Sequence, residues 1–455
     1  VFRRYNLSMI PQAKALLLPL LLAALAVPAF AEDPAPPPDP ERVRWVAGHA
    51  VAVRSIDPMD EDFSDLMPLV QILGKARVVQ LGEATHGDGA TFSAKGRLIR
   101  FLHKVMGFDV LAWESGIVDV RRVDAALRGG LPAAAAASRG LYPGWRVQEV
   151  VPTLDYVKAS QGTDRPIETV GFDCRVSTSQ ARVEIYPKMI FEFFDRLDPA
   201  LISAKERQEL TAMSVGLVPA DYYNKPGLRQ YNRELPKRLV DTIDRRRAEL
   251  LVRVSPQEID YMRQTLVSLL AMDRALGPGD KQPFEDGYTR DAAMAANLLW
   301  WLNGPLKDRK VIVWAHNYHV MNDLTSEEAS AAAPKVKPMS APAAGPMGRF
   351  LKAELGSDLY TIGFSSHGGG TLDMDANKET PVVPGDLENL LHAAVRPWLF
   401  LDLAHLPADH WLRGPWSANF YFHDPMKTTW ARCYDGIFFI DVQKPSTPLR
   451  KESAR

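Results

Sequence analysis

Short apolar or β-branched runs recur at Arg77–Leu81, Asp109–Trp113, Ile167–Gly171, Lys310–Ala315, Leu359–Phe364 and Ile437–Val442, with helix-like segments such as Leu98–Met106 between the early ones. Strands separated by helical patterns make βαβ units, and such units build a parallel sheet. The runs are continuous rather than alternating, as strands are when helices cover both faces. The expected fold is therefore α/β, a mainly parallel central sheet flanked by helices. The alternation breaks between 180 and 300, where the patterns are helical. Leu239–Val254 is one, and Ser255-Pro256-Gln257-Glu258 is a capping box with Pro at the first helical position. Ile259, Met262, Leu266 and Leu269 follow at helical spacing, and Gly277-Pro278 supplies a stop. This block is expected to be a helical insertion over the sheet.

The flanks carry other signals. Lys14, the apolar run Ala15–Val27 and Ala29-Phe30-Ala31 make the n-region, h-region and A-x-A site of a secretory signal peptide over 1–31. The apolar run is shorter than the ~20 residues of a spanning helix, so no stable membrane insertion is expected after cleavage. No Cys follows the site, which argues against a lipid-modified N-terminus. The mature protein is expected to be periplasmic or secreted. A Pro-rich linker over 32–40 leads into one domain over 41–445, with a flexible loop over 326–346 and a polar tail over 446–455. Lys and Arg total 54 against 55 Asp and Glu, and no basic run points to nucleic acid. Cys174 and Cys433 are too few for a disulfide framework and lack metal-ligand spacing; they could pair or lie buried apart.

The ends of the runs carry the chemistry. Gly82-Glu83-Ala84-Thr85-His86-Gly87 follows the first, and its glycines suit a sharp turn and close backbone approach. The second ends in Trp113-Glu114, the third in Gly171-Phe172-Asp173, the fourth in His316-Asn317-Tyr318-His319, and the fifth leads to Ser365-Ser366-His367. In an open α/β sheet ligands bind outside the carboxyl ends of the strands. Carboxylates and imidazoles gathered at that edge suit acid–base work, since imidazole titrates near neutral pH.

These residues resemble the erythromycin esterase family. The resemblance rests on Gly82–Gly87, Lys95, and Gly107-Phe108 leading into Glu114. Trp145-Arg146 with Glu149, Gly171 with Asp173, Arg290-Asp291 with Met294, and Trp314–His319 extend it, in family order from about 45 to 442. It implies hydrolysis of a carboxylic ester or lactone, notably that of macrolide antibiotics, by activated water without a covalent serine intermediate. Antibiotic resistance would follow from that activity. By resemblance His86 is the general base, Glu83 and Glu114 orient it or the water, and His316 and His319 form the second side. Lys95, Arg146, Asp173 and Arg290 are expected to bind substrate, and Lys95 is one candidate donor to the oxyanion. No cofactor is expected. Where the family usually has Glu-Phe a few residues after the His, this chain has Ala90-Thr91, which bears on substrate placement.

Other chemistries leave weaker traces. There is no G-x-S-x-G elbow, H-E-x-x-H, G-x-x-x-x-G-K-[ST] or G-x-G-x-x-G. His367-Gly368-Gly369-Gly370 reads as a flexible turn with His367 at the rim. His103 reads as a packed or surface residue, and Trp300-Trp301 as core. Two alternatives stand beside the esterase: a metal-dependent hydrolase using the same Glu/His cluster, since His and carboxylates suit zinc, and a non-catalytic haem- or metal-binding protein.

Overall fold

The computed structural model describes residues 37–178, 181–216, 226–275, 289–324, 345–373, 376–380, 382 and 385–449. The signal-peptide segment, most of the linker, the Gly277-Pro278 stop, nearly all of the 326–346 loop and the last residues of the tail lie outside them. Among the described residues there are eleven strands: β1 (Val51–Ala52), β2 (Val78–Leu81), β3 (Val110–Gly116), β4 (Glu168–Asp173), β5 (Val311–Trp314), β6 (Leu359–Asp373), β7 (Ala376–Glu379), β8 (Trp398–Asp402), β9 (Trp416–Tyr421), β10 (Asp424–Thr428) and β11 (Gly436–Gln443). Nine form one sheet, in the order β1-β8-β11-β6-β2-β5-β3-β4 with β7 folded back on β6; β9 and β10 form a separate hairpin. The contiguous block β11-β6-β2-β5-β3-β4 is parallel throughout. Those six strands are the six apolar runs of the sequence. The antiparallel strands β8 and β1 extend one edge.

The runs are continuous because both faces are covered. Val311 and Val313 join one core, Ile312 and Trp314 the other, and all four are buried. The same division separates Val110 and Ala112 from Leu111 and Trp113, as the two-residue period of a strand requires. After β2 the chain turns into the helix Gly89–Met106, stopped by Gly107 in the left-handed conformation at φ 78°. Between β4 and β5 the described residues form helices, among them Tyr186–Asp195, Pro226–Arg245, Pro256–Ala275 and Arg290–Asn303. Ser255 Oγ accepts from Glu258 N at 3.2 Å, and Ile259, Met262, Leu266 and Leu269 are buried. Trp301 packs this block onto the edge strand, its Nε1 donating to Gly171 O at 2.9 Å.

Three expectations change. Pro40 is not linker but the first residue of the helix Pro40–His49, capped by Asp39. His367–Gly370 is not a turn, because β11 pairs alongside it and β7 takes up its end, so β6 runs on to Asp373. Ser446–Leu449 is not a free tail: Ser446 N donates to Gly87 O at 2.8 Å and Leu449 N to Arg146 O at 2.9 Å. Cys174 and Cys433 are buried thiols rather than a disulfide. His103 is packed, bonded to Tyr156 Oη at 2.7 Å and to Arg165 O at 2.8 Å. Among the described residues no helix is long and apolar enough to cross a membrane.

Candidate active site

Parallel strands bring their carboxyl ends to one edge, and there Glu83 and His86 leave β2. Gly82 is required at the exit, since a Cβ would stand 2.0 Å from Asn317 Oδ1. The Asn317 amide donates to Phe364 O (2.7 Å) and Phe420 O (2.8 Å) and accepts from Phe364 N (3.0 Å), so it cannot yield. Glu83 is fully buried among three donors: His86 Nδ1 at 3.0 Å, Trp145 Nε1 at 2.7 Å and the Lys95 ammonium. A carboxylate only accepts, so Nδ1 of His86 carries the proton and Nε2 is left with its lone pair. The ring is a quarter exposed and faces a cleft. Lys95 is wholly buried under the Trp314 ring, 4.4 Å from its centroid. Burial pulls its ammonium down to about 8 although Glu83 opposes the shift.

Behind this lies a second carboxylate, Glu114. Its Oε2 accepts from His316 N at 3.0 Å and its Oε1 from Arg290 Nη2 at 2.6 Å. Burial would raise Glu114, but His319 and Arg290 hold it well below the usual carboxylate range. Arg290 also donates to Asp173 through Nε (3.2 Å) and Nη2 (2.6 Å); against burial, Asp173 and Glu114 keep its proton bound well above the ordinary range. His319 Nδ1 lies 2.6 Å from Asp291 Oδ1. Burial pulls His319 down, but Asp291 and Glu114 push it up to about 9 against the opposing Arg290. Its Nε2 has two alternative partners: a neutral ring accepts from Arg290 Nη1 at 2.8 Å, and a charged ring donates to Glu114 Oε1 at 3.3 Å. His316 is different. Burial, then His86 and His319, keep it well below the ordinary imidazole value, so it is neutral. Its Nδ1 accepts from Tyr318 N at 3.0 Å, which leaves the proton on buried Nε2; that atom makes no well-formed hydrogen bond, and the Ala84 backbone carbonyl lies near the ring. The His86 and His316 rings are 5.4 Å apart between centroids.

The cleft has a volume of about 470 Å³, and His86, Tyr142, Arg146, Leu372 and Phe422 are in its wall. Of the nine residues singled out from the sequence, His86 and Arg146 line it. The other seven, Glu83, Glu114, His316, His319, Lys95, Asp173 and Arg290, stand buried behind it. Lys95, Asp173 and Arg290, expected to bind substrate, are instead held in buried ion pairs, Lys95 with Glu83 and Arg290 with both Glu114 and Asp173. Lys95 is for the same reason no oxyanion donor. Glu114 serves His316 and His319 rather than bonding His86, whose partner is Glu83. Ala90 and Thr91 do not reach the cleft, since their backbone N–H groups donate to Gln443 Oε1 of β11 at 3.0 and 3.3 Å. Asp88 and His423 were not foreseen: Asp88 accepts from Thr85 N at 3.0 Å and lies 2.9 Å from His423 Nε2, fixing the loop that carries His86. Burial raises the Asp88 carboxyl, but His423 brings it below its ordinary value. A carboxylate two residues beyond His86 was the available signal.

The Glu/His cluster does not fit a metal cage. Both oxygens of Glu83 and both of Glu114 are already taken by protein donors, an ammonium and a guanidinium among them. Among the described residues, the His/Cys/Asp/Glu group whose donor atoms lie within 4.8 Å of one another is His367, His392 and Asp441. There the two imidazoles are stacked, with centroids 4.0 Å apart and planes 8° from parallel. Their in-plane lone pairs run side by side rather than meeting at one ion. His367 is thus a partner of His392, and it is not among the residues lining the cleft.

A mainly parallel sheet with a Glu-His pair at its carboxyl edge is an α/β frame with an acid–base pair where such sheets bind ligands. The erythromycin esterase family pattern matches residues 103–442, and the chain belongs to that family. It is 26% identical over 455 residues to the protein named "Putative hydrolase YbfO" of Bacillus subtilis (strain 168), covering 95% of this chain and 98% of that one. With an erythromycin esterase type II of Escherichia coli it shares 23% identity over 346 residues, 72% of this chain and 77% of the other. The solved structure of the erythromycin esterase EreC, a mutant in its open conformation, superposes with a TM-score of 0.65 at 17% identity, covering 86% and 96% of the two chains. The chain is accordingly a hydrolase of this family, with a small molecule as the substrate class.

Proposed function

We propose that this protein hydrolyses a carboxylic ester or lactone by general-base activation of water at His86. One observation carries the reading: His86 donates a hydrogen bond from Nδ1–H to buried Glu83, keeps the lone pair on its other nitrogen and lines the cleft, with a neutral His316 behind it. Nε2 of His86 takes a proton from water as the water attacks the carbonyl carbon, and Glu83 stabilises the imidazolium that forms. His316, buried behind the cleft with its ring centroid 5.4 Å from that of His86, backs the base rather than meeting substrate. Collapse breaks the C–O bond to the alcohol, and the His86 proton leaves with it. Glu114 holds His316 through the backbone N–H, and Arg146 at the wall is suited to a polar group of the substrate. A macrolide lactone is one member of the class, named by the E. coli relative. We further propose that the chain is exported, on the strength of its Lys14–Ala31 signal.

The test is turnover of a panel of macrolides and simple esters by the mature protein and by His86→Ala, each with and without chelator. Activity that persists with chelator and falls ~10²–10⁴-fold in the variant is expected for a general base. Loss with chelator and rescue by one metal would move the assignment to a metallohydrolase. Sequencing the N-terminus of the exported protein checks cleavage after Ala31.

A further inference from the structure

Among the described residues three that are not glycine have positive φ, and two of them are adjacent, Phe422 at 54° and His423 at 56°. They are the central pair of the β9–β10 hairpin, where two positive φ angles in a row ordinarily select Asn-Gly. A bulky residue there is an outlier, and such strain persists only where the surroundings impose it. The surroundings here belong to the active site. Phe422 N donates to Ala84 O at 3.0 Å, and buried His423 places Nε2 2.9 Å from Asp88 Oδ1, so the turn grips the His86 loop on both sides of His86. The Phe422 ring lies on His316, centroids 4.5 Å apart, and also faces the cleft beside Leu372. One turn therefore touches both half-sites and the substrate space.

We propose that the Phe422–His423 turn is a positioning and specificity element of the reaction: it holds the His86 loop against His316 and gives the cleft an apolar wall that favours esters bearing a bulky aliphatic group. The assignment rests on the hydrolase reading above. Phe422 covers the buried His316 ring and holds it where it backs His86. The His423–Asp88 contact keeps the tip in place against its own backbone strain. Glycine would suit the backbone better at position 422 and would abolish both effects.

The test compares the full chain with Phe422→Gly, Phe422→Ala and Phe422→Leu on p-nitrophenyl acetate and p-nitrophenyl octanoate. Imidazole tautomers are followed in parallel by NMR on 15N-histidine-labelled protein. Phe422→Gly is expected to melt no lower than Phe422→Ala, since it relieves the positive φ, and yet to lower the octanoate-to-acetate ratio of kcat/KM by about ten-fold. It should also lower kcat on both esters and let the His316 signals titrate toward the ordinary range. Phe422→Leu should restore most of the octanoate preference. An unchanged ratio together with unmoved His316 signals in Phe422→Gly would overturn the proposal. If the wild-type chain hydrolyses neither ester, the hydrolase reading loses support. The NMR arm still decides the positioning claim, because His316 signals that stay put in all three variants overturn it.

Discussion

Glu83 and Glu114 are both buried at strand ends, each faces a buried cation, and each governs histidines, but the two halves are not equivalent. Glu83 holds a ring that reaches the cleft, and its cation is a lysine brought to about 8 by burial. Glu114 holds two rings that are both buried, and its cation is an arginine shared with Asp173. Guanidinium does not deprotonate in proteins, whereas a buried ammonium does so readily. The cleft-facing half thus relies on a cation whose proton comes off near pH 8. The backing half relies on a guanidinium that stays charged. The difference separates a part that changes state in turnover from a part that holds geometry.

The sharpest way to break the comparison is to remove each cation. Arg290→Met leaves Asp173 and Glu114 buried without their guanidinium, and losing one partner of a buried pair costs ~3–5 kcal/mol. Lys95→Met also strands a carboxylate, but Glu83 keeps its bonds from His86 and Trp145. In urea unfolding Arg290→Met is therefore expected to show the larger loss, or no folded protein at all. Equal losses would mean that the two halves are held alike.

A second prediction concerns pH. As pH rises through about 8, Lys95 gives up its proton, Glu83 loses its ammonium, and only neutral donors and His86 remain beside it. Turnover should fall on the alkaline side, on a limb centred near pH 8. Lys95→Arg keeps the charge at every accessible pH. In a variant that still folds by circular dichroism, that limb should move upward by more than a unit. A limb that stays in place assigns it to another group, and Lys95 would then be no different in kind from Arg290.

Much of this frame was legible in the sequence, for a physical reason. Strands buried on both faces cannot alternate, so β2, β3 and β5 stand out as solid apolar runs, and their parallel direction sends Glu83, Glu114 and His316 to one edge. What failed to show depends on direction rather than type. Lys95 sits six residues beyond the start of its helix, and nothing in its spacing says that its ammonium turns inward to Glu83. Arg290 reads as a substrate contact until Asp173 and Glu114 are seen on either side of it. The β9–β10 hairpin was invisible because Phe422-His423 carries none of the Gly or Asn that marks such a turn. The glycines after His367 read as a turn, yet strands on either side hold them in β6, with Gly369 at φ 100°. Ala90-Thr91, the departure from the family pattern, turned out to face Gln443 of β11, where it bears on how the helix meets the sheet.

The smallest expected effect on stability is also the most pointed test of the cleft-facing half. Gly144 sits in the turn before Trp145, and a Cβ there would lie 2.8 Å from His86 Cβ and 3.2 Å from the Tyr142 ring. The Gly144 turn or the His86 loop must therefore shift, at a typical point-mutation cost of ~1 kcal/mol. The His86–Glu83 contact at 3.0 Å has little slack, and a misplaced base loses far more rate than the fold loses stability. Gly144→Ala should therefore melt within a few degrees of the wild type and yet lower kcat by about ten-fold or more, with KM less affected. Its counterpart Gly304→Ala sits at a helix end away from the cleft, where the new Cβ meets only Trp300 O at 3.0 Å, and should leave kcat alone. If Gly144→Ala keeps full activity, the His86 loop tolerates displacement. The geometric precision argued for that half would then belong only to the one behind it.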